Sequence, residues 1–143
     1  MNNEHYGNQN SKRFMIFVIV VLFVGGFIKG MTKSKNTQTV TTEHMIIKLA
    51  DDWSLVKYDK NEDVVYLNDS DGSVTISYGV VANFDGTPIE ETIDDYTIVG
   101  ASSEEGFSID LDNGKDTILF EYTGSETIKD TNIRKLIRNI EVK

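Results

Sequence analysis

Residues 14–28 read FMIFVIVVLFVGGFI, fifteen positions without a charge. A helix that is apolar on every side must hide inside a large protein or in lipid. With 143 residues in all, this chain has too little protein to hide one. Extended through Met31, the run makes a helix of roughly 27 Å at about 1.5 Å per residue. The hydrocarbon core is about 30 Å thick; a snorkelling Lys29 and slight thinning of the bilayer close the gap. The sequence therefore predicts one N-terminal transmembrane helix, a signal-anchor over residues 14–31, in contact with the lipid bilayer and preceded by a short tail over residues 1–13. Lys12, Arg13 and Lys29 mark its edges as membrane anchors. The alternative is a cleaved signal peptide with residues 14–23 as its apolar region and Val24-Gly25-Gly26 before the cut. Basic residues flank the run on both sides, so the positive-inside count is close to a tie. The expected placement is single-pass in the cell membrane, with the C-terminal part extracytoplasmic.

Charge is split unevenly along the chain. Residues 1–35 hold five basic residues against Glu4, whereas residues 36–143 hold nine basic and 22 acidic ones, a formal −13. So acidic a segment is unsuited to nucleic acid, whose binding rests on Lys and Arg displacing counterions. The chain has no cysteine, which excludes disulfides, thiol catalysis and Cys-ligated zinc. His5 and His44 are the only histidines, so a multi-histidine metal centre is excluded as well. No cofactor is expected.

Residues 32–44, TKSKNTQTVTTEH, are polar and aperiodic and read as a flexible linker. From Met45 the apolar period becomes two. Residues 46–49, 53–58, 64–67 and 74–81 read as strands, with Asn68-Asp69-Ser70-Asp71-Gly72 as a hairpin loop. Thr87-Pro88-Ile89-Glu90 has the form of a capping box with proline at the first helical position. Ile89, Ile93 and Tyr96 follow at helical spacing, so a helix is predicted there. It fades between Thr97 and Gly100, because Ile98 would point outward. Phe107, Ile109 and Leu111 alternate again, Asn113-Gly114 marks a hairpin, and residues 117–122 return. Ile133, Leu136, Ile137 and Ile140 recur at i, i+3, i+4 and i+7, predicting a closing helix from about Thr131. The expectation is an extracytoplasmic α+β domain over residues 45–143, a mostly antiparallel sheet covered by two helices.

The segment IIKLADDWSLV, the hairpin, the Thr-Pro-Ile-Glu opening, FSIDLDNGKDTILFEY and the ending LIRNIEVK together resemble the PsbP-like α/β/α family of small envelope proteins. The resemblance covers residues 45–143. It implies an α/β/α scaffold and carries over no functional residue, since members of that family share a fold rather than a reaction.

Several constellations invite chemistry and fail on spacing. Asp69-x-Asp71-Gly72 lacks the first and twelfth ligands of a calcium loop, where Leu67 and Tyr78 stand. Asp110, Asp112, Asn113 and Asp116 fail in the same way; both groups read as solvated hairpin loops. Ser54-Leu55-Val56-Lys57 matches S-x-x-K, but on an alternating strand that places serine and lysine on opposite faces rather than on one helical turn. His44 beside the linker reads as a solvated residue rather than a general base. Trp53, Tyr58, Tyr66, Tyr78 and Phe120 read as core and sheet-face aromatics before a ligand groove.

One surface feature remains. Arg134, Lys135 and Arg138 project together opposite the apolar stripe of the closing helix. They complement its dipole, and they are also the candidate docking strip for an acidic partner. The chain is expected to be a membrane-anchored envelope protein presenting an acidic, non-catalytic binding or accessory module in a membrane or cell-surface complex, with a protein or polymer partner. The alternatives are a secreted protein binding a small ligand or polymer, and a carboxylate-based envelope hydrolase.

Overall fold

The computed structural model describes residues 38–50 and 52–143. These form two antiparallel sheets and one short helix. The small sheet is β1 (Gln38–Thr41), β2 (Met45–Leu49) and β10 (Ile140–Val142), with β2 in the middle. The large sheet takes β3 (Ser54–Asp59), β4 (Val64–Asn68), β5 (Gly72–Tyr78), β6 (Thr87–Ile93), β7 (Tyr96–Ser102), β8 (Gly106–Asp112) and β9 (Thr117–Gly124) in the order 3-4-5-9-8-7-6. The helix α1 (Thr131–Arg138) lies between β9 and β10 in the chain.

Register explains which residues meet. Val65 faces Ile76, Ile76 faces Phe120, and Phe120 faces Ile109 across four neighbouring strands. That row continues to Gly100 and Ile89, so one face of the large sheet is apolar along its width. Met45, Ile47, Leu49 and Ile140 of the small sheet and Ile133, Leu136 and Ile137 of α1 join it in a single core cluster. The helix forms where its i, i+3, i+4 stripe puts it, and the chain turns extended again at Ile140.

The helix expected from Thr87 is instead the hairpin β6–β7, which makes the molecule mostly β rather than a sheet covered by two helices. The spacing of four between Ile89 and Ile93 satisfies both helical and strand periods, since four is even. Asp94-Asp95 then turns the chain, with Asp94 at a φ of 50°, and Ile93 pairs with Tyr96. Ile98 is fully buried rather than outward. Pro88 is tolerated because β6 is an edge strand, where amides on the outer side carry no ladder bond. The α/β/α layering implied by the PsbP-like resemblance calls for helices that the described residues do not form.

Two further expectations change. Residues 38–41, read as linker, are strand β1, with Val40 buried against the core. A strand this polar gains its place by completing the backbone ladder of β2 rather than by its own apolar content. Among the described residues no helix is long and apolar enough to cross a membrane. The membrane segment expected at residues 14–31 lies outside them.

One connection positions the candidate site. β5 and β6 run in the same direction with β9, β8 and β7 between them. Four strand spacings amount to about 19 Å, which residues 79–86 must cross. They do so over the outward face, where Phe84 comes against Ala101, Ser108 and Thr123. Leu119 and Ala101, which point outward, are buried.

Candidate functional site

The connection over residues 79–86, the β7–β8 turn and the β9–α1 loop converge at one end of the large sheet around two cavities. One of about 280 Å³ lies under Phe84 and Asp85, against Glu105 and Ser108. The other, of about 520 Å³, is bounded by Thr87 and Ile89 of β6, Glu104, Phe107, Glu126 and Ile128. Gly106 opens β8 between them at a φ of 155°, and a Cβ there would meet the Tyr122 carbonyl oxygen at 1.9 Å. Only glycine allows β8 to start so close to β9.

Tyr122 ties this end together. Its hydroxyl accepts the Glu126 amide at 3.0 Å and donates to the Asp71 carbonyl at 3.4 Å. Burial pushes that hydroxyl's pKa up, and the charges of Glu126, Asp69 and Asp71 add to the effect against the hydrogen bond from the Glu126 amide. The same tyrosine thus gathers Asp69, Asp71 and Glu126, which each offer a carboxylate oxygen within 4.8 Å of the others. Asp69 Oδ1 accepts the amides of Asp71 and Gly72, both at 2.8 Å. Asp69 Oδ2 and Glu126 Oε2 are shielded from solvent and have no hydrogen-bond partner among the described residues. Burial, then the charges of Asp69, Asp71 and Asp130, raise the Glu126 carboxyl above its ordinary value. Asp85, Glu104, Glu105 and Glu126 line the two cavities, with Lys129 as the one cation among their lining residues, and Asp69 and Asp71 stand beside Glu126.

A second constellation sits at the opposite end of the sheet. His44 Nδ1 lies 2.7 Å from Asp63 Oδ2, and Tyr58 donates to Asp63 Oδ1 at 2.9 Å. The imidazole stacks on Tyr78 with centroids 4.2 Å apart, and the Tyr78 hydroxyl donates to Asp116. Burial alone would raise Asp63, whose side chain is 10 % exposed, but hydrogen bonds from His44, Tyr58 and Thr42 outweigh it and hold the carboxyl below its ordinary value. A carboxylate-oriented imidazole is half of an acid–base relay. The other half is lacking here, since no hydroxyl hydrogen-bonds to His44 Nε2 among the described residues. His44 is therefore a partner of Asp63, while its side chain stays 42 % exposed to solvent.

The basic strip on α1 is largely used within the fold. Arg134 donates to Glu91 of β6 at 2.8 Å, and Arg138 reaches Asp94 in the following turn at 3.4 Å. Lys135 is exposed and forms no ion pair among the described residues. Lys12, Arg13 and Lys29 lie outside the described residues. Trp53 and Phe120 are core; Tyr66 is partly buried, with the Lys57 ammonium 5.8 Å from its ring centre. A bulge between Leu55 and Lys57 puts Ser54 and Lys57 opposite Asn68 and Tyr66, hence on the same face after all. They remain on a strand, without the helical turn that S-x-x-K chemistry needs.

The sequence assigns Tyr122 a strand face but no functional role, and singles out neither Glu126 nor the burial of Asp63. Tyr122 was visible as a strand residue, but nothing local shows that its hydroxyl reaches 51 positions back to Asp71. A comparison with known protein families, curated proteins and solved structures finds no match.

Proposed function

We propose that residues 38–143 are a non-catalytic recognition domain, the accessory subunit of an envelope complex, which engages a protein or polymer partner. The observation that carries this reading is the end of the large sheet where Asp85, Glu104, Glu105 and Glu126 line two cavities with Lys129 as their one lining cation, and where Asp69 and Asp71 stand beside Glu126. Asp69 holds the hairpin turn through two amides, but like charges packed together cost stability. A partner that supplies the missing positive charge gives the arrangement a use. The engagement of Arg134 and Arg138 with β6 and its turn supports the same view, because it leaves the acidic end as the uncompensated surface. The apolar run over residues 14–28 supports a place at a membrane surface, with the lipid bilayer as the chain's other partner.

The test is retention from mild-detergent extracts by the full-length chain and by a chain ending at residue 37. Retention of a defined partner by the full chain alone, weakening as salt rises, is the expected result. Equal retention by the shortened chain overturns the assignment of recognition to residues 38–143.

A further inference from the structure

We propose that the 520 Å³ cavity beside Glu126 receives a lysine or arginine side chain from an extended, partly apolar segment of a partner protein. The inference rests on the recognition reading above and names the chemistry of the partner. The cavity falls within the roughly 300–1,000 Å³ range of ligand sites. Its floor is Ile89, Phe107 and Ile128, and its rim carries Glu104 and Glu126. A long cationic side chain matches both parts, laying its methylene stem on apolar surface and its head on carboxylate. A bare divalent ion would leave the floor without a function. A neutral apolar ligand would bring no counter-charge to the Glu104 and Glu126 carboxylates in the lining.

Size and surroundings, rather than lining charge alone, separate this cavity from the other two described. The 280 Å³ cavity is acidic as well, with Asp85 and Glu105 in its lining, but falls below that size range. The cavity of about 590 Å³ at the opposite end has Asp94, Asp95 and Glu141 in its lining against both Lys115 and Arg138. The cavity beside Glu126 has only Lys129 against Glu104 and Glu126, with Asp69 and Asp71 immediately behind. Its wall explains why a polypeptide fits better than a free amine. Thr87 and Ile89 belong to β6, the last strand of the large sheet, which has no strand on its outer side among the described residues. An extended segment laid beside that edge, where Pro88 offers a carbonyl but no amide, can use the remaining backbone hydrogen bonds for affinity and place alternate side chains in a neighbouring pocket.

The test uses the full-length chain in mild detergent and two amidated peptides, Leu-Lys-Leu-Lys-Leu-Lys and the same sequence with glutamine in place of lysine, with calcium chloride alone as a third arm. Titration calorimetry is expected to show binding of the lysine peptide only. The double variant Glu104→Gln, Glu126→Gln is expected to weaken it at least tenfold while keeping a cooperative folding transition at or above the wild-type midpoint, since both substitutions keep side-chain volume and the second removes a charge disfavoured by its neighbours. Equal binding of the two peptides, or equal affinity of the double variant, overturns the proposal. So does calcium binding that is lost in the double variant without any peptide binding, which makes this a cation site instead. If the double variant retains the partner in the extract experiment at wild-type strength, the cavity assignment fails and the recognition reading stands. If the wild-type chain binds the lysine peptide but residues 38–143 contribute nothing to partner retention, the recognition reading fails on its own.

Discussion

Tyr96→Phe removes one atom from the joint between the two sheets. Tyr96 opens β7, is 7 % exposed, and donates its hydroxyl to the Ile140 carbonyl of β10 at 2.7 Å. The ring stays in the core in the variant, so no cavity forms. What is lost is a hydrogen bond worth about 0.5–1.5 kcal/mol net, and a buried carbonyl loses an outside partner at a cost of roughly 1–3 kcal/mol. A loss of about 1–2 kcal/mol is therefore expected, a fall in Tm on the order of 4–8 °C per kcal/mol for a domain of this size. The fluorescence of Trp53, the single tryptophan and a buried one, follows unfolding in urea. An alkaline arm checks the same contact. Burial, reinforced by the charges of Asp95, Glu141 and Asp116, raises the Tyr96 pKa above its ordinary 10.0. A raised folded value means that stability is fully present below pH 10.0 and is lost as pH rises through the folded pKa. The phenylalanine variant should lose less over that range than the wild type. An unchanged urea midpoint would refute the claim that this bond joins the sheets, and a loss as large as that of Tyr96→Ala would refute the packing of the ring.

Other outcomes follow from the same geometry. Ile47→Ala, at a fully buried site in the middle strand of the small sheet, should cost about 2–5 kcal/mol in urea denaturation. Glu126→Gln should raise stability at neutral pH. The folded carboxyl is raised by burial and by its acidic neighbours, so stability is complete below the ordinary value of 4.5 and falls as pH rises through the folded one; the gain should vanish in acid. Asp63→Asn should do the reverse, costing about 1–3 kcal/mol in thermal denaturation at pH 7. The wild-type contribution of that carboxylate is present above pH 3.8 and disappears as pH falls through its lowered folded value.

Local pattern was enough for much of the β-structure. The turn formers of residues 68–72 and Asn113-Gly114 lie where hairpins form, and the alternation in β5, β8 and β9 identifies the buried side of each strand. The stripe of Ile133, Leu136 and Ile137 places α1. Each of these signals is complete within about two turns of helix or one strand. Residues 87–98 carried no such decision, because a spacing of four fits both periods. The ladder from β6 through β7 to β8 decided it, by pairing Glu91 with Ile98 and Ile98 with Leu111.

Residues 38–41 show the limit from the other side. Nothing in Gln-Thr-Val-Thr pays for ordering a strand alone, and only the free edge of β2 makes it one. Charge roles are equally nonlocal. The basic face of α1 was legible, but the acids that engage it are Glu91 and Asp94, 43 and 44 positions away. The acidic end is built the same way, since Asp71, Tyr122 and Glu126 meet only when β5 and β9 pair in register. By itself the sequence determined period, turns and overall charge, because those depend on neighbours along the chain. Only the tertiary structure decided which carboxylates stand uncompensated, because that depends on which strands the backbone ladder brings side by side.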